Sequence, residues 1–529
     1  ILRSWRTGLA VQEIASVGEF RDAAVGDHSG ERVAFVRITG KGRILHLKER
    51  SSTEPKAILE INLDRMKSFS LLGWSPDDRY LVAAQRPDRL SPGPILYFFD
   101  GGNGDLLMAN KDLSPVESLV WTSPDEFVFV DGRSNYTKVQ VREPSDGGKM
   151  GLVVQKAWKG RPSAGAAALV AMGAGKVGIV QEGNLWSLDV ETWRAEQLSS
   201  FTNMTFEWLD YSLENNAFLF RAPAAPPRKY PRVLYRFNPA GDKRGSLEAL
   251  TETQTYNGRW ISNGRGYAYV GSEGNENFLV VRVFGPAEER YLFESGFIRA
   301  FGVDAAKQRL LAFASRGVEP HGIWEYDINE RILTNTVPGM KEPFEFARIL
   351  RPHNKTMKIR GRRALPYTLI PPRDFKQGRK YPAVIDGPNS KRWRPEPQAL
   401  ANAGIYYVSA NRRGLASSDS FFGAAEDIAS LHELMSKHPG IDPDRIFLMG
   451  TSYGTRVMIP LIRDFPELWR GVILHSPVVN LELHHDLWRN PRYLITIGEE
   501  DAFHNDVRQF ELDACHHWTL VDTRYYPGM

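Results

Sequence analysis

A phrase that recurs every forty to fifty residues constrains this chain more than any other feature. It is an apolar anchor, a turn made of Ser, Pro, Asp, Asn or Gly, and then a run of apolar and β-branched residues. The clearest copies are Trp74-Ser-Pro-Asp-Asp-Arg-Tyr-Leu-Val and Trp121-Thr-Ser-Pro-Asp-Glu-Phe-Val-Phe-Val. Looser copies begin at Val25, Val170, Trp208, Trp260 and Val303, so successive anchors lie 49, 47, 49, 38, 52 and 43 residues apart. Several short strands per unit at such a period are the signature of propeller blades. Seven anchors imply seven blades. The competing reading of the tract from Val11 to about Pro338 is a large irregular β-sandwich, because the copies from Val170 onward are degenerate. Two proline-rich breaks, Arg89–Pro94 and Ala222–Pro227, read as loops at blade edges.

Composition narrows the function classes. A chain of 529 residues is too long for one ordinary core, and 42% apolar with 25% charged residues is the balance of a globular protein. No apolar run approaches the roughly 20 residues that a membrane-spanning helix needs. The formal net charge of +4 is small for this size, and no basic run alternates with aromatics, so nucleic acid is not an expected partner. Cys515 is the only cysteine, which excludes intramolecular disulfides and cysteine metal clusters. That slightly favours the cytoplasm but leaves export open. The chain begins at Ile1 rather than methionine, which is expected if a leader is removed or the natural chain starts earlier. The triplets Asn135-Tyr-Thr, Asn203-Met-Thr and Asn354-Lys-Thr fit the glycosylation pattern, but triplets of this kind arise by chance in a long chain.

Around Pro338 the texture changes to strands alternating with helices. Strand-like runs 355–359, 364–370, 381–388, 405–410, 446–449, 471–475 and 492–497 are interleaved with helical stretches 397–403, 426–437 and 455–463. This order predicts a parallel sheet covered on both faces, with a site at the carboxyl ends of its strands. The expected division is a β-propeller over 11–340 and an α/β-hydrolase domain over 341–529.

Within the second domain, Ile446–Met449 enters Gly450-Thr451-Ser452-Tyr453-Gly454, followed by helix-compatible residues. Strand, G-x-S-x-G and helix together are a nucleophile elbow. A serine on so tight a turn sits in strained backbone. Side chains two residues before and after it are expected to collide with the neighbouring helix and strand, and glycine at both places relieves this. The hydroxyl then stands clear of the sheet edge, and the Tyr453 N–H at the helix start points toward a developing oxyanion. Asp501 follows the last-but-one strand, in Gly498-Glu499-Glu500-Asp501, where the acid of a Ser, Asp, His triad belongs.

These phrases resemble the prolyl oligopeptidase family of serine hydrolases, in its acylaminoacyl-peptidase and dipeptidyl-peptidase branch. The resemblance rests on Tyr381-Pro-Ala-Val-Ile-Asp-Gly-Pro, Asn411-Arg-Arg-Gly, Asp442-Pro-Asp-Arg-Ile with the elbow, Gly498-Glu-Glu-Asp and Tyr525-Tyr-Pro-Gly-Met. It covers about 345–529, and a seven-bladed propeller ahead of an α/β-hydrolase is the family's architecture. The resemblance implies Ser452 as nucleophile, Asp501 as acid, the Tyr453 N–H as one oxyanion donor and no cofactor. The second donor would come from Gly387 or Asp386, where the family usually has His-Gly-Gly-Pro. Arg412 and Arg413 would contact the substrate or anchor their loop by an ion pair.

Three departures stand out. Asp386 brings a carboxylate to an oxyanion hole, which opposes the reaction unless it is turned away or paired. The family's histidine base is expected just after Met529, beyond this sequence. Ser452 and Asp501 are only 49 apart, which is short for the family and implies residues missing between them. His504 lies too close to Asp501 to substitute, and His516 and His517 read as a surface or packing pair. His484-His485-Asp486 reads as a solvated loop rather than a metal site. Phe503 occupies the place of a substrate-contacting arginine in the prolyl-specific branch, which argues against that specificity. The expected activity is cleavage of short peptides or aminoacyl amides through an acyl-enzyme. An esterase or acylase acting on a small metabolite, and a catalytically silent propeller that binds partners, remain open, as does homo-oligomerisation.

Overall fold

In the computed structural model the described residues lie between 19 and 526. The longer stretches left aside are 63–68, 86–94, 143–149, 160–168, 225–231, 240–244, 338–349, 359–363, 390–394, 412–418, 478–491, 499–504 and 511–519. The first part of the chain forms seven four-stranded antiparallel sheets in sequence: 19–62 (strands β1–β4), 69–110 (β5–β8), 116–159 (β9–β12), 169–197 (β13–β16), 209–249 (β17–β20), 255–293 (β21–β24) and 297–337 (β25–β28). These are the seven blades of a β-propeller. Each is built from four consecutive strands, so no blade borrows a strand from another.

The recurring phrase has a physical origin in the blade. Its anchor lies on the first strand, its turn makes the first hairpin, and its apolar run is the second strand. Val25, Trp74, Trp121, Val170, Trp260 and Val303 all lie on first strands, while Trp208 lies outside the described residues. Second strands are covered on both faces by the neighbouring blades. Tyr80–Gln85 is buried at every position, and Glu126–Asp131 and Lys176–Gln181 at all but the first. They therefore read as continuous apolar runs rather than as alternation. Fourth strands face water, as Ser246–Ala249 does throughout. The break at Ala222 is a correction: Ala222 and Pro223 complete strand Ala217–Pro223, in register with Val233 and Arg232, and the break proper falls outside the described residues.

Seven apolar clusters fill the seven junctions. Blades 2 and 3 share Tyr80, Phe98, Phe127 and Phe129, blades 4 and 5 share Val180, Leu185, Phe218 and Phe220, and blades 7 and 1 share Val33, Phe35, Leu311, Phe313 and Ile323. The last of these closes the ring.

The second part is one eight-stranded sheet: β29 (His353–Met357), β30 (Leu365–Ile370), β31 (Tyr381–Asn389), β32 (Tyr406–Asn411), β33 (Ile441–Thr451), β34 (Gly471–His475), β35 (Arg492–Gly498) and β36 (Leu520–Tyr526). The spatial order is β29-β30-β32-β31-β33-β34-β35-β36. The six strands from β32 to β36 in this order run parallel, whereas β29 and β30 are antiparallel to their neighbours, so the sheet is mixed rather than wholly parallel. Helices α1 (Pro395–Asn402), α2 (Asp419–Ser436) and α3 (Thr455–Asp464) accompany it. On one face Ile385, Val408, Leu448, Leu474 and Ile495 pack against Ile428 and Leu431 of α2 and Val457, Met458 and Leu461 of α3. On the other, Val384, Tyr407 and Met449 pack against Ala401 of α1. This is the α/β-hydrolase arrangement, with a layer on each face.

Candidate active site

Ser452 lies where β33 ends. A 3-10 turn, Ser452–Gly454, separates the strand from α3, and Ser452 has φ +49° with its side chain exposed. A non-glycine residue in the left-handed region is strained by about 1 kcal/mol or more and persists only where its surroundings impose it. Here the constraint is a strand that must become a helix within three residues. The Thr455 hydroxyl donates to the Ser452 carbonyl at 2.6 Å and closes the turn. The backbone N–H of Tyr453 lies in this turn, at the start of α3.

The two elbow glycines do different things. A Cβ on Gly450 would come within 2.7 Å of Met458 Cγ and 3.3 Å of Thr455 Cα, so α3 can pack on the strand only if residue 450 has no side chain. Nothing lies within 4 Å of a Cβ on Gly454, whose φ is −59°. The expected collision holds before the serine and not after it. Met458, fully buried, also fills the space a Cβ on Gly387 would occupy. One methionine of α3 thus seats against both the elbow strand and its neighbour β31.

Strand register brings the candidate oxyanion segment beside the elbow. Ile385 and Asp386 stand in register with Leu448 and Met449 of β33 on one side and with Val408 and Ser409 of β32 on the other. The next registered pair on the β32 side is Asn389 with Asn411, so Gly387 and Pro388 fall in an irregularity of the ladder. Asp386 is buried, and its carboxylate accepts a 2.6 Å hydrogen bond from the Tyr407 hydroxyl. The carboxylate that stood out in the sequence is therefore paired. It projects to the α1 face with Val384 and Tyr407, whereas Gly387 faces Met458 on the α3 side.

One histidine that belongs to none of the sequence motifs stands close by. Thr451, His475 and Thr496 form one register row at the carboxyl ends of β33, β34 and β35. His475 Nδ1 is 2.5 Å from Thr496 Oγ1, and the Ser476 N–H donates to the Thr496 carbonyl at 2.7 Å. Its position at the end of a strand was the signal available in the sequence. Asp501, Arg412, Arg413, Phe503, His504, His484, His485, His516 and His517 lie outside the described residues. Among the described residues no group of His, Cys, Asp and Glu could hold a metal ion, and no helix is long and apolar enough to cross a membrane.

Residues 391–509, which hold β32, the elbow strand β33 and β34, match one known family. That family is the prolyl oligopeptidase family. The match bears out the resemblance drawn from the sequence motifs. A stretch of 143 residues is 28% identical to dipeptidyl-peptidase 5 of Porphyromonas gingivalis, covering 24% of this chain and 21% of that protein. The chain thus matches about a fifth of the length of this curated relative. Solved structures extend the likeness to the whole chain. A Mycobacterium tuberculosis puromycin-hydrolyzing peptidase superposes with a TM-score of 0.72 over 99% of this chain and 93% of its own, at 12% identity. The Pyrococcus horikoshii acylaminoacyl peptidase gives 0.66 over 97% and 92%, also at 12% identity. At that identity the superpositions speak to fold alone, over the propeller and the hydrolase sheet together.

Proposed function

We propose that this chain is a serine-type peptidase acting on short peptides or aminoacyl amides through an acyl-enzyme, with the propeller occupying 11–340 and the catalytic domain 341–529. The observation that carries the reading is Ser452: an exposed hydroxyl at positive φ, between a parallel strand and a helix, within the segment that matches a peptidase family. In this reading Ser452 Oγ attacks the scissile carbonyl. The Tyr453 and Gly387 N–H groups stabilise the oxyanion, and Asp501 orients the imidazole that takes the serine's proton and returns it to the leaving amine. Gly387 is favoured over Asp386 as second donor, because Asp386 stays in register on both sides while Gly387 lies in the ladder irregularity and Pro388 has no N–H. Arg412 and Arg413 are assigned to substrate contact. The names of the relatives, a dipeptidyl-peptidase, an acylaminoacyl peptidase and a puromycin-hydrolyzing peptidase, support small aminoacyl or peptidyl substrates.

A fluorophosphonate probe applied to the full-length protein tests the reading, because it reacts only with a serine whose proton is being removed. Labelling mapped to Ser452 and lost in Ser452→Ala is the expected result. A folded protein that is not labelled overturns it in favour of a propeller that only binds. Among active outcomes, turnover of p-nitrophenyl esters without aminoacyl anilides marks an esterase, since activated esters need little protonation of the leaving group.

A further inference from the structure

We propose that Asp386 and Tyr407 form a positioning pair that sets the direction of the Gly387 N–H, an inference that rests on the assignment of Gly387 to the oxyanion hole. The reasoning begins with cost. Burying a carboxylate costs several kcal/mol, and an alanine or asparagine at 386 would fit the α1 face at less expense. A chain that breaks this rule one residue before a catalytic backbone donor has a local reason to do so.

The geometry supplies the reason. Asp386 is the last residue of β31 in register with both neighbours before the irregularity at Gly387 and Pro388. On the β32 side the register is regular up to that point and shifts across the irregularity. The Tyr407 hydroxyl comes from β32 two register rows back, since Tyr407 stands beside Val384, and reaches forward to the Asp386 carboxylate at 2.6 Å. Both side chains are buried, Asp386 at 1% exposure and Tyr407 at 4%. A short hydrogen bond to a carboxylate, out of reach of water, is a stiffer tie than a neutral one. It pins β31 laterally where the ladder gives out, on the face opposite to Met458, which closes against Gly387 from the α3 side. Gly387 is thereby clamped from both faces of the sheet. Neither Asp386 nor Tyr407 touches substrate in this arrangement; they act through the backbone they hold.

Steady-state kinetics of the full-length protein on an aminoacyl anilide, with fluorophosphonate labelling in parallel, test this. Removing an oxyanion donor outright costs about 10²–10³ in kcat, and misdirecting one costs less. Tyr407→Phe and Asp386→Ala are each expected to lower kcat by roughly 10- to 100-fold with KM within about twofold. The double variant should lose no more than the worse single one, because the two residues form one tie. Asp386→Asn still accepts the tyrosine hydrogen bond and should recover most of the loss seen with Asp386→Ala. If Tyr407→Phe, which removes a single oxygen and folds most readily, keeps wild-type kcat, the pair has no positioning role. The positioning role is equally refuted if Asp386→Asn falls as far as Asp386→Ala, or if KM rises while kcat holds. A wild-type protein that neither labels nor turns over refutes the peptidase reading itself, an outcome separate from any of these.

Discussion

The junction between blades 7 and 1 and the junctions between successive blades close the same ring by different means. Where one blade leads covalently into the next, the described ion pairs hold their carboxylates in water. Lys56 meets Asp105, Arg79 meets Asp125 and Lys138 meets Glu191, with the carboxylates 67%, 52% and 70% exposed. Where blade 7 meets blade 1 no peptide joins the two sheets. The apolar cluster there is five residues with no half-buried ones packed against it among those described. The charges are buried instead. Arg50 of blade 1 pairs with Glu325 of blade 7, whose carboxylate is 8% exposed. Arg309 reaches the same carboxylate at 3.5 Å and Asp327 at 3.3 Å, and Arg32 holds the fully buried Asp27 at 3.2 Å. Exposed pairs contribute little, whereas a buried charge left alone is expensive. The untethered junction thus relies on interactions that are strong only when complete.

Phe313→Ala should expose the difference most clearly. Phe313 is 1% exposed in a cluster with little around it to collapse into the void, so a loss of about 4–5 kcal/mol in chemical denaturation is expected. Phe127→Ala, in the larger cluster of blades 2 and 3 with Trp121, Leu119 and Met108 nearby, should fall at about 3 kcal/mol. An equal or larger loss at Phe127 would mean that closure is no weaker than an ordinary junction.

Asp304 sharpens the comparison through pH. It lies in the first hairpin of blade 7, where Gly26 of blade 1 has no room for a Cβ against it, and its carboxylate accepts the Gln308 and Arg309 N–H groups. Burial pushes its pKa up to about 6, and the carboxylates of Glu325 and Asp27 push the same way, against those two N–H groups. The folded state therefore holds this proton more tightly than the unfolded chain, which releases it near pH 4. Stability must fall as pH rises from about 4 to 6 and then stay lower, by roughly 3 kcal/mol for a shift of about two units. Burial raises the Glu325 carboxyl as well, with Arg309 opposing it. Asp304→Asn keeps an acceptor for both N–H groups and should be the more stable protein at pH 7, with the advantage gone by pH 3.5. Parallel stability–pH curves for the two proteins would mean that Asp304 plays no part in closure.

These contrasts mark what the sequence could and could not convey. The blades were legible because a second strand buried on both faces has to be apolar throughout, and because the hairpin before it needs turn residues such as Ser75 and Asp77. A second repeat is visible only in the structure. An aspartate that ends the third strand accepts backbone N–H groups two and three residues on, at Asp100, Asp189 and Asp327, and would have marked three more hairpins. The elbow was legible because Gly450 and Ser452 meet steric demands within three residues. The collision expected at Gly454 is absent because α3 leads away from it. The antiparallel sense of β29 and β30 left no trace, since a strand's composition does not encode its direction. Helix α2 starts earlier than its sequence implies, because Asp419-Ser-Phe-Phe-Gly at its start lacks helical periodicity. Pairings between distant positions, Tyr407 with Asp386 and Arg50 with Glu325, are properties of the folded sheet and have no local signal.

The smallest effect expected is the loss of a single arginine, and it separates the two kinds of junction by ionic strength. Arg50→Ala removes the main partner of a buried carboxylate and a donor to the Gly30 carbonyl, while Arg309 stays within reach of Glu325. Breaking a buried pair costs about 3–5 kcal/mol when nothing else compensates; with Arg309 in place roughly 2 kcal/mol is expected. Arg79→Ala, between blades 2 and 3, breaks pairs to Asp77 and Asp125 in water and should cost about 0–1 kcal/mol. Salt at 1 M shortens the screening length to about 3 Å and should abolish the Arg79 effect, yet leave most of the Arg50 effect, because ions do not enter the seam. Denaturation of both variants at low and high salt reads the two terms directly. If the Arg50→Ala loss is screened as fully as the Arg79→Ala loss, the pair at the seam is a surface pair like that of Arg79 with Asp125, and the five apolar residues carry the closure alone.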